Sequence, residues 1–209
     1  MKEIESDPFD LFAVWYRQAG KKTVWRRILT WLYPPAVIHQ PDAMILSTAN
    51  RDGKPSARVV LFKGIKDGGF TFFTNYMSQK GRELTENPRA ELVFHWAFPE
   101  RQVRVEGVAT KTSREASVAY WRTRPRGSQL SGAVSPQSSI ISGRAALVKK
   151  VDELKHLLQG ADVPCPEWWG GFCLIPDCIE FWEGRANRLH ERIRFTRNGH
   201  RWNREFLAP

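Results

Sequence analysis

The residues best suited to chemistry lie near the C-terminus, in the segment 180–192. The segment begins like a strand and breaks at Glu183-Gly184, after which Arg188, His190 and Arg192 occupy alternate positions. In an extended chain this spacing directs all three side chains to one face. Two guanidinium groups beside an imidazole suit an anionic, planar ligand. A charged edge strand that resists aggregation explains the same spacing equally well.

Four further groups of polar residues occur where a barrel core would not accommodate them. They are Arg58 and Lys63 around the apolar run 59–62, Thr74 with Ser78 and Lys80, Tyr120 with Arg124 and Ser128, and Gln137 with Ser138. Cations, hydroxyl groups and a helix N-terminus are common components of phosphate sites. Each group also has a structural explanation, as snorkelling side chains, an ordinary helix cap or a polar helix surface.

The composition is that of a globular protein with an excess of positive charge. Of the 209 residues, 42% are hydrophobic and 26% are charged, as in ordinary soluble domains. The 32 Lys and Arg residues against 22 Asp and Glu residues give a formal net charge of +10. This excess would attract nucleic acid, acidic lipid or phosphorylated small molecules.

Several classes of site and location are not favoured by the sequence. It has no P-loop, no GxSxG elbow and no GxGxxG after a strand, and its five histidines lack metal-ligand spacing, so no metal is expected. Three cysteines without a CxxC pair predict reduced thiols. With no signal peptide and no apolar run of membrane-spanning length, a cytoplasmic location is expected.

The order of apolar and polar residues predicts a mainly β protein with added helices. Strands are expected at 43–49, 57–65, 70–74, 90–97, 102–110, 172–175 and 179–182, then a hairpin across Asn198-Gly199, with a turn at 50–53. Helices are expected from Asp7-Pro8 to Gly20, after Ser78, from a capping box of Thr112 and Glu115 to about Arg124, and at 145–159.

Two connecting stretches are less regular. Residues 126–143 are expected to form a polar loop, and the basic, aromatic stretch 21–33 fits a helix that covers its own domain or docks on a membrane or a partner.

Short strands joined by hairpins favour a closed antiparallel barrel with helical additions. One domain is expected over 1–209, with a helical segment at 7–35 and the barrel and C-terminal hairpin at 43–209.

Seven motifs, taken together and in order, resemble the pyridoxamine/pyridoxine 5′-phosphate oxidases. They are RVVLFK (58–63), FFTN (72–75), ERQVRVEG (100–107), RPRGSQ (124–129), SPQSS (135–139), PEWWGGF (166–172) and FWEGRANRLHER (181–192). The resemblance implies an antiparallel split β-barrel and a homodimer with FMN at the subunit interface. It also implies oxidation of pyridoxamine or pyridoxine 5′-phosphate to pyridoxal 5′-phosphate by O₂, with release of H₂O₂.

The resemblance also implies roles for individual residues. Arg188 and His190 would act on the substrate ring as catalytic residues. FMN would bind Arg58, Val59, Val60, Leu61, Phe62, Lys63, Phe73, Thr74, Lys80, Gln102, Gln137, Ser138, Trp182 and Arg192. The substrate would bind Lys63, Tyr120, Arg124, Ser128, Arg188, Leu189 and His190.

The chain departs from the family pattern at three places, and the sequence leaves three other functions open. Gln79 stands where the family often has a second basic residue, the stretch 21–35 is an unusual insertion, and the basic N-terminal arm of the family is missing or replaced. The alternatives are a flavin split-barrel oxidase of the phenazine-biosynthesis type, a barrel that binds RNA or single-stranded DNA by stacking, and a flavin or pyridoxal phosphate carrier without turnover. Intact Tyr120, Arg124 and Ser128 favour a phosphorylated substrate over the phenazine type.

Overall fold

A computed structural model describes residues 7–20 and 40–209, which form nine strands and five helices. The strands are β1 (Ala43–Ala49), β2 (Pro55–Leu61), β3 (Ile65–Lys66), β4 (Gly69–Asn75), β5 (Arg89–Trp96), β6 (Arg101–Lys111), β7 (Trp169–Glu183), β8 (Glu191–Asn198) and β9 (Arg201–Leu207). The helices are α1 (Pro8–Gly20), α2 (Gln79–Glu86), α3 (Arg114–Thr123), α4 (Arg126–Val134) and α5 (Arg144–Leu158), with a 3₁₀ turn at Ala186–Arg188.

The strands form one antiparallel sheet that curls without closing. Its order is β2-β1-β5-β6-β7-β4-β3, and β8 pairs with both β7 and β9. Among the described residues no ladder joins β2 to β4, although Lys63 and Gly64, just after β2, form backbone hydrogen bonds with Thr71 of β4. The antiparallel split β-barrel is therefore confirmed, whereas the closed barrel expected from the hairpin pattern is wrong.

The long strand β7 connects the two ends of the sheet. Its first residues pair with β4, from Trp169 opposite Asn75 to Leu174 opposite Phe70. Its last residues pair with β6 and β8, and a bulge after Glu106 adjusts the register along the way. The sequence suggested two strands here, at 172–175 and 179–182. Because the bulge accommodates Pro176, the ladder continues as one strand.

Helix α1 covers the open end of the barrel with aromatic side chains. Asp7 caps the helix, since its Oδ1 accepts a hydrogen bond from the amide of Phe9 at 2.8 Å. Phe12 is 1% exposed, and its ring centroid lies 4.9 Å from that of Phe70 and 5.0 Å from that of Phe94. Burial of large aromatic rings dominates the energetics of a core, so α1 is part of the barrel core and not an appendage.

Most of the predicted local signals are confirmed. The amides of Asp52 and Lys54 donate to Oδ1 of Asn50, which fixes the turn after β1. The Ser78 hydroxyl accepts from the amide of Gly81 and so caps α2 as expected. The three cysteines are free thiols.

Three predicted details are wrong, and the predicted helix at 21–33 lies outside the described residues. The expected loop 126–143 contains α4, because Leu130 is buried and the Pro125 carbonyl accepts from the amides of residues 128 and 129. Helix α3 is capped by Ser113, whose hydroxyl accepts from Ala116, and not by Thr112. The extended conformation expected for 188–190 is also wrong, because a 3₁₀ turn ends at Arg188.

Candidate functional site

A cleft of about 310 Å³ opens where β2 and β4 meet α3 and α4. We call it the cationic cleft, because three basic side chains line it. Its lining residues are Val59, Val60, Leu61, Lys63, Phe73, Thr74, Asn75, Lys80, Tyr120, Arg124, Gly132, Ser135, Gln137 and Trp169. Strand β2 is the first in the sheet order and so has a free edge. Such an edge presents unpaired backbone N–H and C=O groups to a ligand.

Stacked aromatic rings form one wall of the cationic cleft. The Phe73 ring lies 4.0 Å from that of Tyr120 and 5.5 Å from that of Trp169, with interplanar angles of 18° and 13°. Arg124 lies over the Trp169 ring at 4.9 Å. Its Nη1 is buried and has no hydrogen-bond partner among the described residues. A buried guanidinium N–H without a partner is costly, and Arg124 also lines the cleft, so an acceptor group that bound there would offset this cost.

The N-terminus of α2 forms the opposite end of the cleft. The Gln137 Oε1 accepts from Lys80 Nζ at 3.1 Å and from the Thr74 hydroxyl at 3.3 Å. Burial lowers the pKa of Lys80, and the neighbouring charge of Arg58 lowers it further. A helix N-terminus with a desolvated lysine attracts anions, so a phosphate group would be stabilised here.

Behind Lys80, Arg58 is held by a buried carboxylate. Glu83 Oε2 accepts from Arg58 at 3.2 Å, from Ser56 at 2.7 Å and from Thr48 at 2.5 Å. Burial alone raises the pKa of Glu83, but these hydrogen bonds, one from Gln79 and the Arg58 charge outweigh it and lower the pKa from 4.5 to about 2. Arg58 therefore supports the cleft from behind and does not line it.

We expect Glu83 to make the free energy of unfolding depend on pH. A carboxylate with a lowered pKa in the folded state stabilises that state above its unfolded pKa, and the contribution is lost as the pH falls toward the folded pKa. A pKa lowered from 4.5 to about 2 corresponds to roughly 3 kcal/mol at neutral pH. Glu83→Gln should therefore be less stable than wild type at pH 7, and urea unfolding should show the difference shrinking by roughly 2 kcal/mol at pH 3.

The matched control is Glu86→Gln, which changes an exposed carboxylate on the same helix. Its unfolding free energy should follow that of wild type at both pH values. A difference between Glu83→Gln and wild type that stays constant from pH 7 to pH 3 would contradict the role of Glu83.

A second group of predicted residues lies away from the cleft, across the C-terminal strands. Gln102 on β6 is paired with Trp182 on β7, and Trp182 is paired with Arg192 on β8. Residues paired across antiparallel strands point to the same face. We call these three side chains the C-terminal row. Arg192 is held within the row by Glu180, whose Oε1 lies 2.9 Å from the arginine Nε.

His190 and Arg188 stand beside the C-terminal row on a tight turn. The His190 ring lies 4.7 Å from that of Trp182, and its Nδ1 accepts from the amide of Arg185. A neutral imidazole with an occupied Nδ1 acceptor carries its proton on Nε2. Asn187 and Arg188 have φ values of 57° and 60°, a left-handed backbone that costs free energy in residues other than glycine. Such strain is concentrated at functional sites.

The structure divides the predicted site residues into these two groups. The cleft collects Val59, Val60, Leu61, Lys63, Phe73, Thr74, Lys80, Tyr120, Arg124 and Gln137. Strands β6, β7 and β8 and the turn before β8 carry Gln102, Trp182, Arg188, Leu189, His190 and Arg192. Phe62 packs in the barrel core, and Ser128 and Ser138 do not line the cleft.

Four residues that line the cleft were not predicted as site residues. Asn75, Ser135 and Trp169 fall within the quoted motifs FFTN, SPQSS and PEWWGGF, so the motifs carried a signal for them. Gly132 had none. A Cβ at Gly132 would lie 3.1 Å from Nη1 of Arg124 and 3.2 Å from the Trp121 ring. The absence of a side chain at Gly132 therefore leaves room for the guanidinium group of Arg124.

Two family profiles match adjacent parts of the chain. Residues 35–158 match the family described as pyridoxamine 5′-phosphate oxidase. Residues 169–209 match the pyridoxine 5′-phosphate oxidase C-terminal dimerisation region. The chain belongs to the pyridoxamine 5′-phosphate oxidase family. The second match covers β7, β8 and β9, and therefore most of the C-terminal row.

Curated relatives agree with this family over nearly the whole chain. A pyridoxine/pyridoxamine 5′-phosphate oxidase from Rubrobacter xylanophilus is 45% identical over 98% of this chain and 88% of its own. One from Deinococcus deserti is 49% identical over 82% of this chain and 81% of its own. The 98% coverage of this chain by the first includes both groups of candidate site residues.

A solved structure extends the comparison to the fold. PhzG from Burkholderia lata 383, in complex with tetrahydrophenazine-1-carboxylic acid, is 31% identical with a TM-score of 0.84, and the match covers 99% of this chain and 95% of that one. None of the helices in the described ranges has both the length and the apolar character of a membrane span.

Proposed function

We propose that the protein is an FMN-dependent oxidase that converts pyridoxine or pyridoxamine 5′-phosphate to pyridoxal 5′-phosphate with O₂, releasing H₂O₂ and, from the amine, ammonia. The observation that carries the proposal is the cationic cleft, where Nη1 of Arg124 is buried beside an aromatic stack and has no hydrogen-bond partner in the described part of the chain. The family membership supports the same activity, as do relatives named for it.

The residues of the cleft fit FMN. A flavin phosphate needs cations and backbone N–H groups, which Lys80 and the N-terminus of α2 supply. A flavin ring needs a flat surface and hydrogen-bonding edges, which the free edge of β2 supplies. Two donors fix the Gln137 amide with its oxygen inward, so its NH₂ group can face a ligand. When bound, FMN supplies the two-electron redox chemistry and transfers electrons to O₂.

The substrate phosphate is proposed to bind at the other end of the cleft, against Lys63, Tyr120 and Arg124. These side chains provide two positive charges and one hydroxyl donor. Ser128, on α4, is half-buried and follows Arg124 by four residues. A phosphate held by several fixed donors orients the pyridine ring, and orientation is the main contribution that a protein makes to this kind of reaction.

Arg188 and His190 are proposed to act on the substrate ring. Because Nδ1 of His190 is occupied by the Arg185 amide, Nε2–H is the group that can donate to an anionic oxygen of the substrate. The guanidinium of Arg188 would stabilise negative charge on the ring. Leu189, between them, is 69% exposed and is available to contact a ligand.

A homodimer would combine the two groups of residues in one site. Trp169 in the cleft and Trp182 in the C-terminal row lie at opposite ends of β7, so one ligand does not reach both within a single chain. The outer face of β1 and β2 exposes Ile45, Val59 and Leu61, and the last two also line the cleft. An exposed apolar patch of this kind fits a protein interface. We propose that the C-terminal row of one subunit faces the cleft of the other.

The first experiment is an absorption spectrum of the purified protein, followed by a peroxide assay in air. We expect flavin bands and release of H₂O₂ on addition of pyridoxine 5′-phosphate, and far slower release with pyridoxine, which lacks the phosphate. A colourless protein that FMN does not reconstitute would overturn the proposal. Flavin bands without peroxide release would leave a carrier or another oxidase.

A second candidate is oxidation of a reduced phenazine carboxylate, which the similarity to PhzG favours. The ligand in that PhzG structure, tetrahydrophenazine-1-carboxylic acid, carries a carboxylate and no phosphate. The three cations of the cleft, Lys63, Lys80 and Arg124, suit phosphate groups better. The same peroxide assay with a reduced phenazine carboxylate separates the two candidates, and we expect only background rates.

A further inference from the structure

The strongest feature that the proposed function does not use is a network of charged side chains beside the C-terminal row. It occupies the next register position on the same face of the sheet, where Arg104 on β6 is paired with Glu180 on β7, and Glu180 with Arg194 on β8. Glu180 is the central carboxylate of this network. It is only 6% exposed, although it lies on the outer face of the sheet.

Glu180 contacts two arginines through different oxygens. The Nε and Nη2 atoms of Arg192 lie 2.9 and 2.8 Å from Oε1. Nη1 of Arg104 lies 3.4 Å from Oε2. Arg104 is in turn bound to Glu91 and Glu106. The position of Glu180 is therefore fixed from both sides, by strands β5 and β6 through Arg104 and by β8 through Arg192.

Arg192 is held at two points on its guanidinium group. On one edge Nε and Nη2 face Glu180, and on the other Nη1 donates to the carbonyl of Ala208 at 2.9 Å. Two contacts on opposite edges fix the plane of the group, so the N–H groups not used by these contacts have a defined direction. Planar, directed N–H donors are what makes arginine selective for anionic ligands.

We propose that Glu180 is a positioning residue that orients Arg192 toward the flavin, with Arg104 as its anchor. The inference rests on the proposed function, since it requires Arg192 to contact the cofactor. A carboxylate this buried stabilises the fold only if its partners remain in place. Its removal leaves Arg192 tethered to Ala208 alone, free to rotate about that contact.

The test measures FMN affinity of the apoprotein by quenching of flavin fluorescence, at a temperature where circular dichroism shows each variant folded. Glu180→Gln keeps the shape and removes the charge, and we expect its Kd for FMN to rise roughly tenfold. Glu205→Gln removes the carboxylate that binds Arg194, one position along the same face. That control should bind FMN within about twofold of wild type.

A double-variant comparison separates positioning from general destabilisation. If Glu180 acts through Arg192, then Glu180→Gln combined with Arg192→Ala should bind FMN no more weakly than Arg192→Ala alone. A purely structural role would instead give additive losses. Should Glu180→Gln fail to fold, Glu180→Asp keeps the charge but shortens the reach, and its Kd should lie between those of wild type and Arg192→Ala.

The outcomes distinguish this inference from the proposed function. Wild-type protein that binds FMN, with Glu180→Gln as tight as Glu205→Gln, overturns the positioning role and leaves the proposed function in place. Additive losses in the double variant overturn it as well. Wild-type protein that does not bind FMN overturns the proposed function and the role of Glu180 together.

Discussion

Arg124→Ala is expected to raise the KM for pyridoxine 5′-phosphate about 100-fold while kcat changes by less than about threefold. Arg124 lies in the cationic cleft with a buried Nη1 that has no hydrogen-bond partner in the described chain. Burial lowers its pKa, yet an arginine stays protonated at neutral pH. Because Arg124 is partly buried, its charge is weakly screened, and its loss would remove the charge-assisted contact proposed for the substrate phosphate.

Steady-state kinetics with two substrates and a control variant test this expectation. Arg122→Ala removes an exposed arginine from the last turn of α3, two residues before Arg124, and should leave KM within about twofold of wild type. With pyridoxine, which lacks the phosphate, Arg124→Ala and wild type should be equally slow. An unchanged KM for the phosphorylated substrate would place the phosphate elsewhere.

Arg188→Asn is expected to lower kcat about 100-fold and to leave FMN affinity within about twofold of wild type. Asparagine is the suitable replacement because Arg188 has a φ of 60°, a conformation that asparagine tolerates better than most residues. The variant should thus keep the turn that carries His190 and lose only the guanidinium. A large effect on kcat alone fits a group that acts in the transition state.

Single-turnover reduction of the bound flavin by substrate is the decisive measurement, because it isolates the chemical step. Arg201→Ala, which removes an exposed arginine from β9, serves as the matched control and should behave as wild type. Wild-type reduction rates in Arg188→Asn would remove Arg188 from the site. Loss of FMN binding in the same variant would assign it to the cofactor instead.

The sequence predicted the sheet well because its signals are local. The turn at Asn50 and the cap at Ser78 depend on side chains that bond to their own neighbours. Helix α4 was missed because its apolar face is short and Leu130 is its single buried residue. Leu130 packs with Trp121 and Trp169, and these tertiary contacts have no signal in the local pattern.

The candidate site was predictable from sequence only through the family resemblance. The spacing predicted that Arg188 and His190 share a face of an extended chain. The backbone is not extended there, because Asn187 has a left-handed conformation. Arg58, which the resemblance assigns to FMN, is bound by Glu83 and is not among the residues that line the cleft. Glu83 lies 25 residues further along the chain, and a single sequence gives no sign of such a contact.

The aromatic contacts of Phe12 have a consequence for how the protein could change its chemistry. Many β-barrels bind ligands in their interior, but here Phe12, Phe70 and Phe94 fill it. The proposed site therefore lies outside the barrel interior, on side chains that the packing of these rings does not require. Selection or engineering could therefore reshape the wall formed by α3 and α4 for a different substrate, while the packing that keeps the protein folded stays intact.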